Sequence, residues 1–141
     1  MKRHPIPPEW FSFVDARIDE YDVKEENQST HLFDDTEFVL NELSKRYDLY
    51  LISNIATPYK ECFYNLGLDK WFKDPIFSCD VGYSKPDPKI YDIVIQKSSL
   101  QPGQLLMIGD SLRADYEGAL GCGIKAILKD KPLKLILPNL V

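Results

Sequence analysis

Apolar positions along this chain change period several times, and each change marks an element. Behind Pro7 and Pro8, Trp10, Phe13, Val14, Ile18 and Tyr21 recur at helical spacing, which predicts a helix over residues 8–21. Residues 24–30, KEENQST, are polar and predict a loop. Asp34 or Asp35 can cap the next helix, with Phe38, Val39, Leu43 and Tyr47 on its apolar face. Residues 49–52 are wholly apolar and too few for a helix, so they read as a buried strand. Pro58 opens a helix that turns Tyr59, Cys62, Phe63 and Leu66 inward and stops at Gly67. Residues 75–79 are the next strand. A helix over 89–97 carries Ile90, Tyr91, Val94 and Ile95 inward. A strand at 105–108, a helix at 112–120 ended by Gly121, and a strand at 124–128 follow. Residues 133–141 read as a last strand or an apolar tail packed on the body.

From Asp48 onward strands and helices alternate at short intervals. That order predicts right-handed crossovers and a parallel sheet covered by helices, an α/β fold. The 141 residues suffice for one domain with a sizeable core. A net charge of −5 argues against nucleic acid as a partner, because a phosphate backbone needs a basic face. It leaves room for a small phosphorylated molecule, since a metal and one lysine can supply local positive charge. The three cysteines form no CxxC pair, which suits reduced thiols in a cytoplasmic protein. Two histidines, His4 and His31, make a zinc site or a histidine triad a poor expectation. No apolar run approaches the roughly 20 residues of a membrane span, and no apolar core follows the basic start as in a signal peptide.

Three turns carry chemistry. Residues 105–115, LLMIGDSLRAD, bring a strand to a sharp glycine turn and two acids. Gly109 lets the chain turn tightly. Asp110 can give a carboxylate oxygen to a hard cation such as Mg²⁺. Asp115, one helical turn beyond Ser111, can brace the loop or the metal's water. A simple helix cap has the same look. At residues 49–54, LYLISN, the Ser53 hydroxyl and the amides after it can donate to an anionic oxygen. A cap on the helix from Pro58 is the plain alternative. In residues 82–91, GYSKPDPKIY, Lys85 is held between Ser84 and Pro86 and can present its ammonium to a carboxylate or phosphate. Most lysines are merely solvated surface.

In this order, over about residues 32–128, the chain resembles the haloacid dehalogenase superfamily of hydrolases, which is mostly phosphatases. The resemblance implies a three-layer, Rossmann-like parallel sheet. It implies that Ser53, Asn54 and Lys85 bind phosphate, that Ser53, Lys85 and Asp110 are catalytic, and that Asp110 and Asp115 serve Mg²⁺. The implied activity is Mg²⁺-dependent hydrolysis of a small phosphorylated metabolite. Such enzymes attack phosphorus with an aspartate after their first strand, and an acid two residues later handles the leaving group. No Asp-x-Asp-x-Thr sequence precedes Ser53. If residues 10–14 were that strand, Asp15 would be the nucleophile, and Arg17, which holds its proton, would replace the acid. The helical spacing favours the other reading. Residues 1–31 are then a helical remnant of a cap domain, and 32–141 are a core incomplete at its N-terminus. The strands ending at Ser53 and Gly109 would then pair directly, or a partner chain, as in a homodimer, would fill the gap. The alternative function is a catalytically inactive, phosphate-binding member.

Overall fold

The structure is a computed structural model that describes residues 20–140, with side chains from Lys24 onward. The expected cap-remnant helix therefore lies outside the described residues up to Asp19, as do Asp15 and Arg17.

Helix α1 (Glu20–Ser29) replaces the polar loop expected at 24–30. No apolar stripe calls for it; tertiary contacts do. Asn27 is buried, its side-chain amide donates to the Pro58 carbonyl at 3.1 Å, and the Cys62 thiol donates to its carbonyl at 3.8 Å. Helix α2 (Thr36–Ser44) buries Val39, Leu40 and Leu43, whereas Phe38 and Tyr47, expected on that face, are exposed. The Asp35 side chain does not cap α2. It accepts from the Lys134 amide at 2.9 Å and so ties α2 to the C-terminal helix α7 (Leu133–Ile136). The tail is thus helical, continuing into a 3-10 turn at Leu137–Asn139, and is no strand. Leu137 packs with Val39 and Leu43, so burial along a helix face decides the matter.

Strand β1 (Leu49–Ser53) pairs in parallel with β2 (Phe72–Phe77), which begins before the expected 75–79. Between them lie α3 (Lys60–Asn65) and two 3-10 turns. The register slips by one residue between Tyr50 and Ile52, opposite Asp74 and Pro75, where Asp74 has φ +42°. A proline is tolerable there because no further described strand pairs with β2. After α4 (Ser78–Val81) and α5 (Pro88–Ser98) comes the second pair, β3 (Leu106–Gly109) with β4 (Lys125–Leu128), also parallel. The intervening helix, expected to be regular over 112–120, is a π-helical turn at Leu112–Glu117 followed by α6 (Gly118–Gly121).

One continuous sheet is therefore not what the described residues make. β1 pairs only with β2, and β3 only with β4. The direct pairing expected of β1 with β3 is absent, and a cavity of about 900 Å³ lies between them. Helix α5 sets this spacing, because it packs on β1, on β2 and on α6 at once. Its buried residues Ile90, Tyr91 and Val94 join Ile76, Ala119 and Ile124 in the main core. Cys62, Cys79 and Cys122 are unpaired, and burial pushes the thiols of Cys79 and Cys122 up from their ordinary value. No helix among the described residues is long and apolar enough to cross a membrane.

Candidate active site

Both parallel pairs deliver their chemistry at their carboxyl ends, where ligands of open α/β folds bind. β1 ends at Ser53, and Asn54 follows. The Asn54 side chain reaches the loop before α5 and holds the backbone of Lys85 twice: its amide donates to the Lys85 carbonyl at 2.9 Å, and its oxygen accepts from the Lys85 N–H at 2.8 Å. The loop is stiff by itself. The Lys85–Pro86 peptide is cis, Asp87 N–H donates to the Ser84 carbonyl at 2.8 Å, and the Asp87 carboxylate caps α5 at Lys89 N–H, 2.9 Å away.

From that loop the Lys85 ammonium donates to Asp115 Oδ1 at 2.6 Å. Asp115 Oδ2 accepts from the Ser111 N–H at 3.0 Å, so both oxygens of this carboxylate are engaged. The pair is nearly dry, with side-chain exposures of 11% for Lys85 and 6% for Asp115. In such surroundings each charge depends on the other.

Three further features hold Asp115 in place. A Cβ on Gly109 would fall 2.3 Å from Asp115 Cγ, so only glycine lets the carboxylate lie across the end of β3. The Ser111 hydroxyl accepts from Ala114 N–H at 3.0 Å, and the π-helical turn brings the amides of Asp115 and Tyr116 to the Ser111 carbonyl. The buried Tyr91 hydroxyl donates to the Ala114 carbonyl. Burial, then the Asp115 charge, pushes that phenol well up, so it keeps its proton and remains a donor at physiological pH. Gly118 leaves room for the same hydroxyl and for Pro86, which a Cβ would meet at 2.7 and 2.9 Å.

Of the residues singled out in the sequence, Lys85, Asp110 and Asp115 line one cavity. Asp110 is exposed at its mouth. Ser53 is half-buried and joins them through its neighbour Asn54 rather than by lining the cavity. The sequence reading missed that Asn54 clamps Lys85 and that Tyr91 braces the acidic turn. Asn54 carried no signal of this, because its partner lies 31 residues away. Tyr91 carried a partial one: a hydroxyl on the inward face of a helix needs a partner.

Does this set suit Mg²⁺? The ion takes oxygen ligands, often one or two carboxylates completed by water and phosphate oxygens. Asp110 is an exposed carboxylate in the right place and fits that role. Asp115 is committed to Lys85 and Ser111 and fits as a support. No group of three or more His, Cys, Asp or Glu side chains gathers among the described residues, so they offer part of a site.

Removing the clamp tests its weight. Asn54→Ala deletes two hydrogen bonds at a surface position and is expected to cost about 1–2 kcal/mol in urea unfolding. Asn54→Asp keeps only the acceptor half and should fall between it and the parent. Equal stability of all three would mean that the clamp contributes nothing.

The profile of the haloacid dehalogenase-like hydrolases matches residues 8–123, and the chain belongs to that family. It is 32% identical over 91 residues to the glyceraldehyde 3-phosphate phosphatase of Methanothermobacter thermautotrophicus, a match covering 64% of this chain and 40% of that protein. The structure of a HAD phosphatase from Thermococcus onnurineus is 28% identical with a TM-score of 0.73, over 84% of this chain and 56% of that one. HAD-hydrolase YfnB from Bacillus subtilis, in a structure bound to magnesium, is 28% identical with a TM-score of 0.65, over 72% and 46%. The chain thus spans less than half the length of such curated relatives, 40% of the first and 45% of another.

Proposed function

We propose that this chain forms the phosphate-handling part of a Mg²⁺-dependent phosphatase acting on a small phosphorylated metabolite. The observation that carries the reading is the nearly dry Lys85–Asp115 pair, clamped by Asn54 beside the exposed Asp110. An ammonium held in that way keeps its direction without solvent reorganisation, which favours charge building on phosphate oxygens. Ser53 and the amides after it add donors from the neighbouring strand end. Asp110 would hold Mg²⁺, which when bound neutralises phosphate charge and polarises the phosphorus–oxygen bonds. The relatives named as phosphatases of glyceraldehyde 3-phosphate and phosphoserine support a small phosphate monoester as substrate.

The alternative is a member that binds the same ligand without turnover. One observation favours it: Asp115, the other acid of the Asp110 turn, has both carboxylate oxygens locked in hydrogen bonds to Lys85 and Ser111 and is not free to attack phosphorus. Release of phosphate from p-nitrophenyl phosphate with Mg²⁺ separates the two. On the first reading Asp110→Asn lowers the rate about 100-fold or more, in keeping with the loss of one preorganised electrostatic group. Calorimetry that records phosphate binding by a chain without measurable turnover supports the second. An activity indifferent to Asp110→Asn would place the chemistry elsewhere.

A further inference from the structure

Among the described residues three polar side chains are buried: Asn27, Ser78 and Asp115. A buried polar group is costly unless it is paired, so each of them needs a partner. Asp115 has Lys85. Asn27 holds the Pro58 carbonyl, in the segment between β1 and α3. Ser78, only 1% exposed, holds the start of the same segment. Its hydroxyl donates to the Ile55 carbonyl at 3.2 Å and accepts from the Ile55 N–H at 2.9 Å. A serine at a helix start ordinarily caps the amides of its own first turn. Ser78 opens α4, yet both of these bonds go to a residue 23 positions earlier. Phe77, just before it, pairs with Ser53 as the last rung of the β1–β2 ladder. The hydroxyl therefore carries the hold of the ladder past the strand ends, to the residue after Asn54.

We propose that Ser78 is a positioning residue of the site: by fixing Ile55 it sets Asn54 against Lys85 and so aims the Lys85 ammonium. Every step is a direct contact. Ser78 grips both backbone groups of Ile55, Asn54 beside it grips both backbone groups of Lys85, and the Lys85 ammonium meets Asp115. Hydrogen bonds weaken steeply once their angles are lost, so two bonds to one residue fix its orientation as well as its place. Asn54 is exposed, and packing alone does not hold its side chain. Its backbone is held on one side by the β1–β2 ladder and on the other by Ser78. Ser78 itself is buried with its proton engaged, and it keeps the Ile55 N–H from serving as a free donor to an anion, so it acts by placement. The proposal rests on the phosphate-handling reading only for the ligand that the ammonium meets. The relay from Ser78 to Lys85 stands on contacts within the chain.

The test follows the Lys85 N–H, which donates to Asn54, by NMR hydrogen exchange on the full 141-residue chain. Ser78→Ala is expected to speed its exchange about 10-fold, the weight of a hydrogen bond lost locally. The Lys89 N–H, held by Asp87, and the Lys125 N–H, held by Leu105, should keep the parent's rates. In an Asn54→Ala background the clamp is already gone, and Ser78→Ala should change Lys85 exchange by less than about 2-fold. Three results overturn the proposal. They are an unchanged Lys85 rate in Ser78→Ala, an equal acceleration in the Asn54→Ala background, and a loss of protection that spreads evenly to Lys89 and Lys125, the mark of a merely structural serine. Titration with inorganic phosphate and Mg²⁺ separates the relay from the phosphate reading. Ser78→Ala and Asn54→Ala should each weaken phosphate binding by a similar factor, and the pair by no more than either alone. Phosphate affinity untouched by Ser78→Ala also overturns the proposal. A parent chain that binds no phosphate, with Lys85 exchange behaving as expected, sinks the phosphate reading and upholds the relay.

Discussion

Asp115→Ala is expected to destabilise the protein by about 3–5 kcal/mol, the usual cost of breaking a buried ion pair from one side. The reason is what the substitution leaves behind. Lys85 is left without its counter-charge in a site where its side chain is only 11% exposed, and the Ser111 N–H loses its acceptor. Typical domains are stable by only about 5–15 kcal/mol, so urea unfolding should register the change plainly. The companion variant Lys85→Met/Asp115→Leu removes both charges and keeps apolar volume. It is expected to lie within about 1 kcal/mol of the parent or above it, because the double replacement abolishes the desolvation cost of both ions. If the double variant also abolishes phosphate release, the pair is retained for charge placement and not for stability. A single variant as stable as the parent would mean that water reaches Lys85 freely and that the pair is not dry.

The second large effect is expected at Gly109. Its backbone lies outside the left-handed region, so conformational freedom is not what glycine supplies here. Space is. An added methyl would sit 2.3 Å from Asp115 Cγ and 2.5 Å from its Cβ, inside any permissible contact. The carboxylate must move, and with it go the bonds to Lys85 and Ser111. Gly109→Ala should therefore cost about 3 kcal/mol or more, at the upper end of overpacking effects. It should also be strongly non-additive with Asp115→Gly, since that substitution removes the whole side chain, Cβ included, that the added methyl collides with. A double variant costing less than the sum by about 2 kcal/mol is the signature. Full additivity would show that Gly109 is sensitive for another reason, such as its pairing with Leu128.

Part of the cavity's lining was legible along the chain. Lys85, Asp110 and Asp115 come to one cavity from two of the three turns singled out, while Ser53 of the third stays off its lining. Gly109 was recognisable as a required glycine, although the reason proved to be the approach of Asp115 and not the turn itself. Helix α5 was read to within one residue at each end, because Ile90, Tyr91 and Val94 follow the helical period closely. The errors have a common cause. KEENQST has no apolar period, and it is helical because Asn27 and Cys62 meet across 35 residues. Phe38 and Tyr47 fit a periodic face, but α2 is turned so that Val39, Leu40 and Leu43 cover the core. The C-terminal apolar run looked equally like a strand or a tail, and contact with α2 selected a helix.

Local signals, then, settled by themselves the alternation of strands and helices from β1 to β4 and which turns carry a hydroxyl, an ammonium and two carboxylates, but not α1 or the C-terminal helix. Caps, prolines and hydrophobic period act within a few residues, so they can be read without knowing the partners. Tertiary structure alone decided the Asn54–Lys85 clamp, the double engagement of Asp115 and the separation of β1 from β3. The contacts that cross to Lys85 depend on where α5 docks, and a docking position emerges from the shapes of several surfaces meeting at once, which no single stretch of chain encodes.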